Sequence, residues 1–136
     1  MKRYVGLFFL MFFCISLLVP VIAEAEENPV PYYTVIDALS ADISIDEQTG
    51  KTTCTGSILA KSGTAVSITV ELHKLVNNRW EIIETWENSR TTYVACTGKT
   101  SVEPGFRYRT YVVGYTMDDN GRITESGHTS KAQYYG

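Results

Sequence analysis

The sequence predicts an all-β chain: a single two-sheet sandwich of about seven antiparallel strands, preceded by a signal-peptide helix. Three observations carry that expectation. Apolar and polar residues alternate with period two along several segments after residue 35, and turns containing Gly or Asn recur between them at spacings that suit short strands. A stretch that opens Cys54-Thr55-Gly56 returns as Cys96-Thr97-Gly98, each copy followed by a further glycine, Gly63 and Gly105. No segment after residue 30 places apolar residues at i, i+3, i+4 and i+7 between caps, so no substantial helix is expected there.

Residues 1–25 read as a secretion signal. Lys2 and Arg3 precede an uncharged stretch from Tyr4 to Val19, Pro20 breaks the helix, and Ala23 and Ala25 supply the small residues of a peptidase site. An uncleaved anchor is the alternative, because Tyr4 to Ala23 is long enough to cross a bilayer as a helix. The breaker followed by small residues favours cleavage, after Ala23 or Ala25, and this segment is the only membrane contact expected. Cys14 follows Met11-Phe12-Phe13 rather than small residues, so it belongs to the signal helix and not to a lipid anchor. Residues 26–34 are expected as an extended linker and 35–136 as the sandwich, a usual size for one domain and one core. Lys and Arg number 12 against 15 Asp and Glu, a formal net charge of −3. Such scattered charge offers no basic stripe, so nucleic acid and anionic lipid surfaces are excluded as expected partners.

The strands are expected at about 36–45, 51–60, 65–76, 79–87, 91–100, 106–117 and 121–128, with 131–135 extending the last. The first sets Leu39, Ala41, Ile43 and Ile45 against Ser40, Asp42, Ser44 and Asp46, and the residues from Asp46 to Lys51 close a hairpin loop. The third alternates Val66, Ile68, Val70 and Leu72 with Ser67, Thr69, Glu71 and His73. Laying residues 54–86 over 96–128 without a gap puts the turn at Asn77-Asn78-Arg79 on Asp119-Asn120-Gly121, so each copy reads strand, Gly turn, strand, Asn-rich turn, strand. In an immunoglobulin-like sandwich these strands would be A, B, C, C′, E, F and G. Such a fold has an approximate two-fold relation carrying B-C-C′ onto E-F-G, which accounts for the echo.

On that topology B and E are antiparallel neighbours, and Cys54 and Cys96 occupy equivalent positions on them. Export implies an oxidising or thiol-poor compartment. Metal or redox chemistry has no C-x-x-C and no His cluster to support it. The expectation is a cross-strand disulfide between Cys54 and Cys96, stabilising by roughly 4 kcal/mol on the loop-entropy estimate, with free thiols as the alternative.

The stretch from Val102 to Tyr115, VEPGFRYRTYVVGY, resembles the E-to-F segment of fibronectin type III and related immunoglobulin-like domains, whose pattern is apolar-x-Pro-Gly-x-x-Tyr followed by alternating apolar residues. The resemblance implies a structural tyrosine corner at Tyr108 with its turn at Pro104 and Gly105, and inward positions at Thr110 and Val112. The layout of a signal followed by a short two-cysteine β-domain is also similar to small secreted proteins of Firmicutes of uncharacterised function. That likeness implies export from a Gram-positive cell, hence a secreted, extracellular protein, and no activity.

Chemistry-bearing constellations are few. His73 and His128 have no carboxylate or Cys at ligand spacing and read as solvated surface residues. The Ser and Thr residues lack a nucleophile elbow. Asp118-Asp119-Asn120-Gly121 begins like a calcium loop but lacks the later ligands, and an Asn-Gly hairpin explains it. No catalytic residue, no metal and no cofactor is therefore expected. The aromatic residues stand out, Tyr111 and Tyr115 sharing one face of their strand. With Trp80 and Trp86 they form a candidate aromatic face suited to a sugar ring or a protein partner. The expected function is a small secreted module, a monomer without catalysis, recognising a protein or glycan. The alternatives are a structural or accessory protein acting by edge-strand pairing and, more remotely, an extracellular hydrolase.

Overall fold

Period-two alternation is realised as seven antiparallel strands, with no helix, across residues 33–136, the part of the chain described by a computed structural model. The expected signal peptide and most of the expected linker lie outside the described residues. The strands are β1 (Ile36–Ile45), β2 (Lys51–Ala60), β3 (Ala65–Val76), β4 (Arg79–Thr91), β5 (Tyr93–Ser101), β6 (Phe106–Met117) and β7 (Ile123–Tyr135). They form a three-stranded sheet in the order β1-β2-β5 and a four-stranded sheet in the order β4-β3-β6-β7. The inward residues of both sheets make the core, with Ile58, Val66, Ile68, Val70, Leu72 and Val112 completely buried.

β1, β2, β3 and β6 have the expected bounds, the last strand runs on through 131–135 as expected, and the boundary between β4 and β5 is the one that moves most. β7 continues unbroken to Tyr135 because β6 supplies pairing partners along its whole length, from Met117 opposite Ile123 to Phe106 opposite Tyr135. β4 runs on to Thr91, so the chain passes from one sheet to the other on a single residue, Thr92. Its φ of 69° lies in the left-handed region that β-branched residues avoid. Three hydrogen bonds hold it there: Ala60 N–H donates to the Thr92 carbonyl (2.8 Å), Thr92 N–H to the Thr64 carbonyl (2.7 Å), and Gly63 N–H to the Thr92 hydroxyl (2.9 Å). A glycine would relax the backbone at this position and lose the last of these bonds.

The repeated Cys-Thr-Gly is a packing device, and it corrects the expected disulfide. β2 and β5 are neighbours, and both cysteines face the core. The register, however, sets Cys54 opposite Gly98, Thr55 opposite Thr97, and Gly56 opposite Cys96. The thiols are thus diagonal partners, and a diagonal Cα separation of about 7–8 Å exceeds the usual span of a disulfide. Cys54 and Cys96 are free and buried. Burial pushes the Cys54 thiol pKa up against a pull from the Thr110 hydroxyl, and burial together with the Glu87 charge raises that of Cys96, so both behave as small protonated core residues. Each Gly in turn admits a side chain from the opposite sheet. A Cβ on Gly56 would lie 2.7 Å from a Val112 methyl and 2.8 Å from one of Val70, and a Cβ on Gly98 would overlap the indole of Trp86.

Two side chains tie the edges. The Tyr108 hydroxyl, on a ring almost wholly buried, donates to the Glu103 carbonyl at 2.7 Å and accepts from the Glu103 amide at 3.2 Å, bracing the turn where Gly105 has a φ of 96°. Pro104 stands exposed in the same turn. Glu125 on β7 grips the start of β1 in the other sheet: its carboxylate accepts from the amides of Thr34 (3.2 Å), Val35 (3.1 Å) and Ile36 (3.3 Å) and from the Thr34 hydroxyl (2.8 Å). Desolvation alone would raise the Glu125 pKa, but these bonds outweigh it and hold the carboxyl below its ordinary value.

Replacing Gly98 with Ala is expected to cost roughly 1–3 kcal/mol through overpacking against Trp86. Urea unfolding would show a lower midpoint at unchanged slope. For Glu125 the folded-state pKa is depressed, so its contribution is present above the ordinary carboxyl value of 4.5 and is lost as pH falls through the lower folded value. The amide resonances of Thr34, Val35 and Ile36 should therefore titrate together, with a common midpoint below 4.5; independent midpoints, or one at the ordinary value, would refute the clamp.

Candidate functional site

Alternation along β6 sends Thr110 and Val112 inward and Arg109, Tyr111 and Tyr115 to the outer face of the four-stranded sheet. Pairing then decides their neighbours. On β3, Glu71 lies opposite Tyr111 and His73 opposite Arg109; on β7, Ser130 lies opposite Tyr111 and His128 opposite Val113. On β4 a bulge intervenes, the register jumping from Leu72 opposite Glu84 to His73 opposite Ile82. Because of the extra residue, Trp80 and Trp86 point to opposite sides of the sheet although both are even-numbered. Trp80, opposite Leu75, joins the outer face, whereas Trp86, opposite Val70, packs inward on the core over Gly98.

The side chains on this outer face form a stack that crosses all four strands. Tyr111 is offset-stacked on His73 (centroids 5.2 Å, planes 22° apart) and on His128 (5.9 Å, 27°), and His73 lies 6.5 Å from the Trp80 ring. The Arg109 guanidinium carbon sits 4.4 Å from the Trp80 ring centroid and 5.1 Å from that of Tyr111. Under these groups His73 retains only 5% of its exposure, so it is an enclosed residue and not the solvated one the sequence pattern implied.

His73 has both ring nitrogens engaged. Arg109 Nε donates to Nδ1 at 2.9 Å, which leaves Nε2 to carry the proton and donate to Glu71 Oε1 at 3.3 Å. A neutral imidazole thus links a carboxylate to a guanidinium and holds the latter in place. Burial pushes the His73 pKa below its ordinary value; the Glu71 hydrogen bond pulls upward, the Arg109 charge adds to the lowering, and the net shift is down. Burial also lowers the Arg109 pKa, with Tyr111 and Glu71 opposing it, and the guanidinium stays charged.

Of the expected aromatic face, Tyr111 and Trp80 are brought together, Tyr115 shares the surface between Ser67 and Ser126, and Trp86 is elsewhere. Glu71, His73, Arg109 and His128 were not anticipated as part of it. A signal for them exists in the sequence, since Arg109 and Tyr111 share parity, as do Glu71 and His73, but it becomes legible only once β3 and β6 are paired in register. At the hairpin tip, Asp118 Oδ1 accepts the amides of Asn120 and Arg122, both at 2.9 Å, so this carboxylate organises the turn. Among the described residues, no three His, Cys, Asp or Glu side chains converge as metal ligands. No family model matches the chain, and no curated protein is detectably similar to it in sequence.

The His73 shift has a sign that can be checked. Just below the ordinary value of 6.5 the unfolded imidazole takes a proton while the folded one does not, so stability falls on acidification from that point until His73 itself titrates. The His73 ring resonances should titrate with a midpoint below 6.5, and the loss of urea resistance between about pH 7 and pH 5 should be smaller in His73→Asn.

Proposed function

We propose that this chain is a small secreted, non-catalytic binding or surface-associated module, recognising a protein or glycan through the outer face of the four-stranded sheet. The observation that carries the reading is the stack of Trp80, His73, Tyr111 and His128 with Arg109 laid against two of its rings. A rigid sheet holding amphipathic rings in fixed positions loses little entropy when it binds, and such surfaces serve recognition. His73, the one imidazole enclosed there, has both nitrogens occupied by Arg109 and Glu71 and, among the described residues, no hydroxyl or thiol nucleophile bonded to it, an arrangement that suits positioning rather than proton transfer. Export, implied by the N-terminal pattern and by the likeness to small secreted Firmicutes proteins with fibronectin type III-like domains, places the binding partner outside the cell.

One observation favours a second reading, edge-strand pairing in a structural or accessory role. β4 is an edge of its sheet and exposes Ile82 (61%) and Ile83 (42%) beside the bulge. The two readings separate by mutation. Trp80→Ala combined with Tyr111→Ser is expected to lower retention on cell-wall or host-glycan preparations by about tenfold or more, the scale of losing a stacked aromatic contact or two, with circular dichroism unchanged. Ile83→Lys is expected to leave retention intact. The reverse pattern would transfer the function to the edge.

A further inference from the structure

We infer that the ligand of this face is an acidic saccharide whose ring carboxylate is gripped by Arg109; the inference rests on the binding reading above and specifies its ligand class. Arg109 is half-buried, yet its guanidinium has no carboxylate within ion-pair distance among the described residues. The pairs present are His73 with Glu71, Lys74 with Glu103, and Lys131 with Asp42. Its Nε is committed to His73, and the rings of Trp80 and Tyr111 lie against the group. Among the described residues the Nη groups donate no side-chain hydrogen bond, so the outer edge of the fork is what remains for a ligand. That edge matches a carboxylate in two parallel N–H···O bonds. Because Glu71 and His73 fix the guanidinium in advance, little ordering is left to oppose binding.

The placement favours a sugar over a peptide. Arg109 lies on β6, an inner strand flanked by β3 and β7, where every backbone group that could pair with an added strand is already paired. A ligand here meets side chains alone, which excludes the backbone pairing that gives extended peptides much of their affinity. Next along the strand from the cation, Tyr111 stands between Glu71 and Ser130; a second ring flanked by hydroxyls, Tyr115 between Ser67 and Ser126, lies six residues from Arg109 along β6, about 20 Å away and within reach only of an extended saccharide chain. With the faces of Tyr111 covered by His73 and His128, what this ring offers a ligand is its hydroxyl; that group and the Ser130 hydroxyl for the sugar's own hydroxyls, with the fork for its carboxylate, form a complementary set. A net charge of −3 gives the chain no general attraction for polyanions, so the recognition is local to Arg109.

The probes are polygalacturonate and hyaluronate, which carry carboxylates on sugar rings, compared with fully methyl-esterified polygalacturonate and with poly-L-glutamate. Immobilised polysaccharide should retain the wild-type chain, and esterification or replacement by poly-L-glutamate should weaken retention about tenfold or more. Arg109→Gln should lose binding to the same extent, and Arg109→Lys, which keeps the charge but not the fork, should fall between, with thermal unfolding used to check that both are folded. Failure of both carboxylated polysaccharides to bind, equal binding after esterification, tighter binding to poly-L-glutamate, or indifference to Arg109→Gln would each overturn the inference. The face reading would survive those results as long as Trp80→Ala with Tyr111→Ser still lost retention on cell-wall or host-glycan preparations, and it would fail separately if that variant did not.

Discussion

The antiparallel register between β2 and β5 is the constraint on which the rest of the sandwich depends. It makes the two Cys-Thr-Gly copies complementary: each thiol fills the inward space beside a position with no side chain, and each glycine leaves a hollow that the opposite sheet occupies. A slip of one residue would turn Cys54, Ile58 and Thr52 out of the core. A slip of two would bring sulfur opposite sulfur but would carry Gly98 from beneath Trp86. The bridge and the packing are therefore competing uses of the same residues, and the inter-sheet contacts of Val70, Val112 and Trp86 require the register in which the thiols stay apart.

A second constraint acts across the other sheet. The bulge in β4 lets the strand begin with Trp80 on the outer face and continue with Trp86 on the inner one, so the two indoles serve different layers. Trp86 closes the core above Gly98, and Trp80 covers His73 and meets Arg109. The same strand then ends at Thr92, whose strained backbone carries the chain to β5 with no loop between. Bulge and crossing together allow a strand at the edge of one sheet to deliver its successor to the edge of the other, which fixes how the sheets overlap.

Much of this was legible in the sequence, for the reason that burial on one face writes itself as alternation. Val66 to Leu72 and Leu39 to Ile45 give the strand faces directly, and the Cys-Thr-Gly echo gives the adjacency of β2 and β5. What alternation cannot carry is an offset of two, because a two-residue shift leaves every side chain on the same face; the diagonal placement of Cys54 and Cys96 is that offset. Nor can it carry an inserted residue, which is why Trp80 and Trp86 read as partners until Ile83 is seen to interrupt the count. The enclosure of His73 was hidden for a third reason. Its position on β3 is an outward one, and only the neighbours contributed by β4 and β6 remove it from water.

Packing alone explains part of that outer cluster and leaves part over. Rings stacked across adjacent strands are a common way to stabilise a sheet surface, so Trp80, Tyr111 and His128 serve the fold as well as the face. The Glu71, His73, Arg109 chain is different. It enclosed an imidazole at the expense of its protonation and partly desolvated a guanidinium that has no carboxylate partner among the described residues, where Thr or Val would satisfy an inner strand at lower cost. Local choices that oppose stability while neighbouring ones agree with the fold are concentrated where a surface meets something else. The conflict is confined to one cation and the two groups that aim it, and this confinement is the reason for reading Arg109 as the centre of the face rather than as one more residue in a stack.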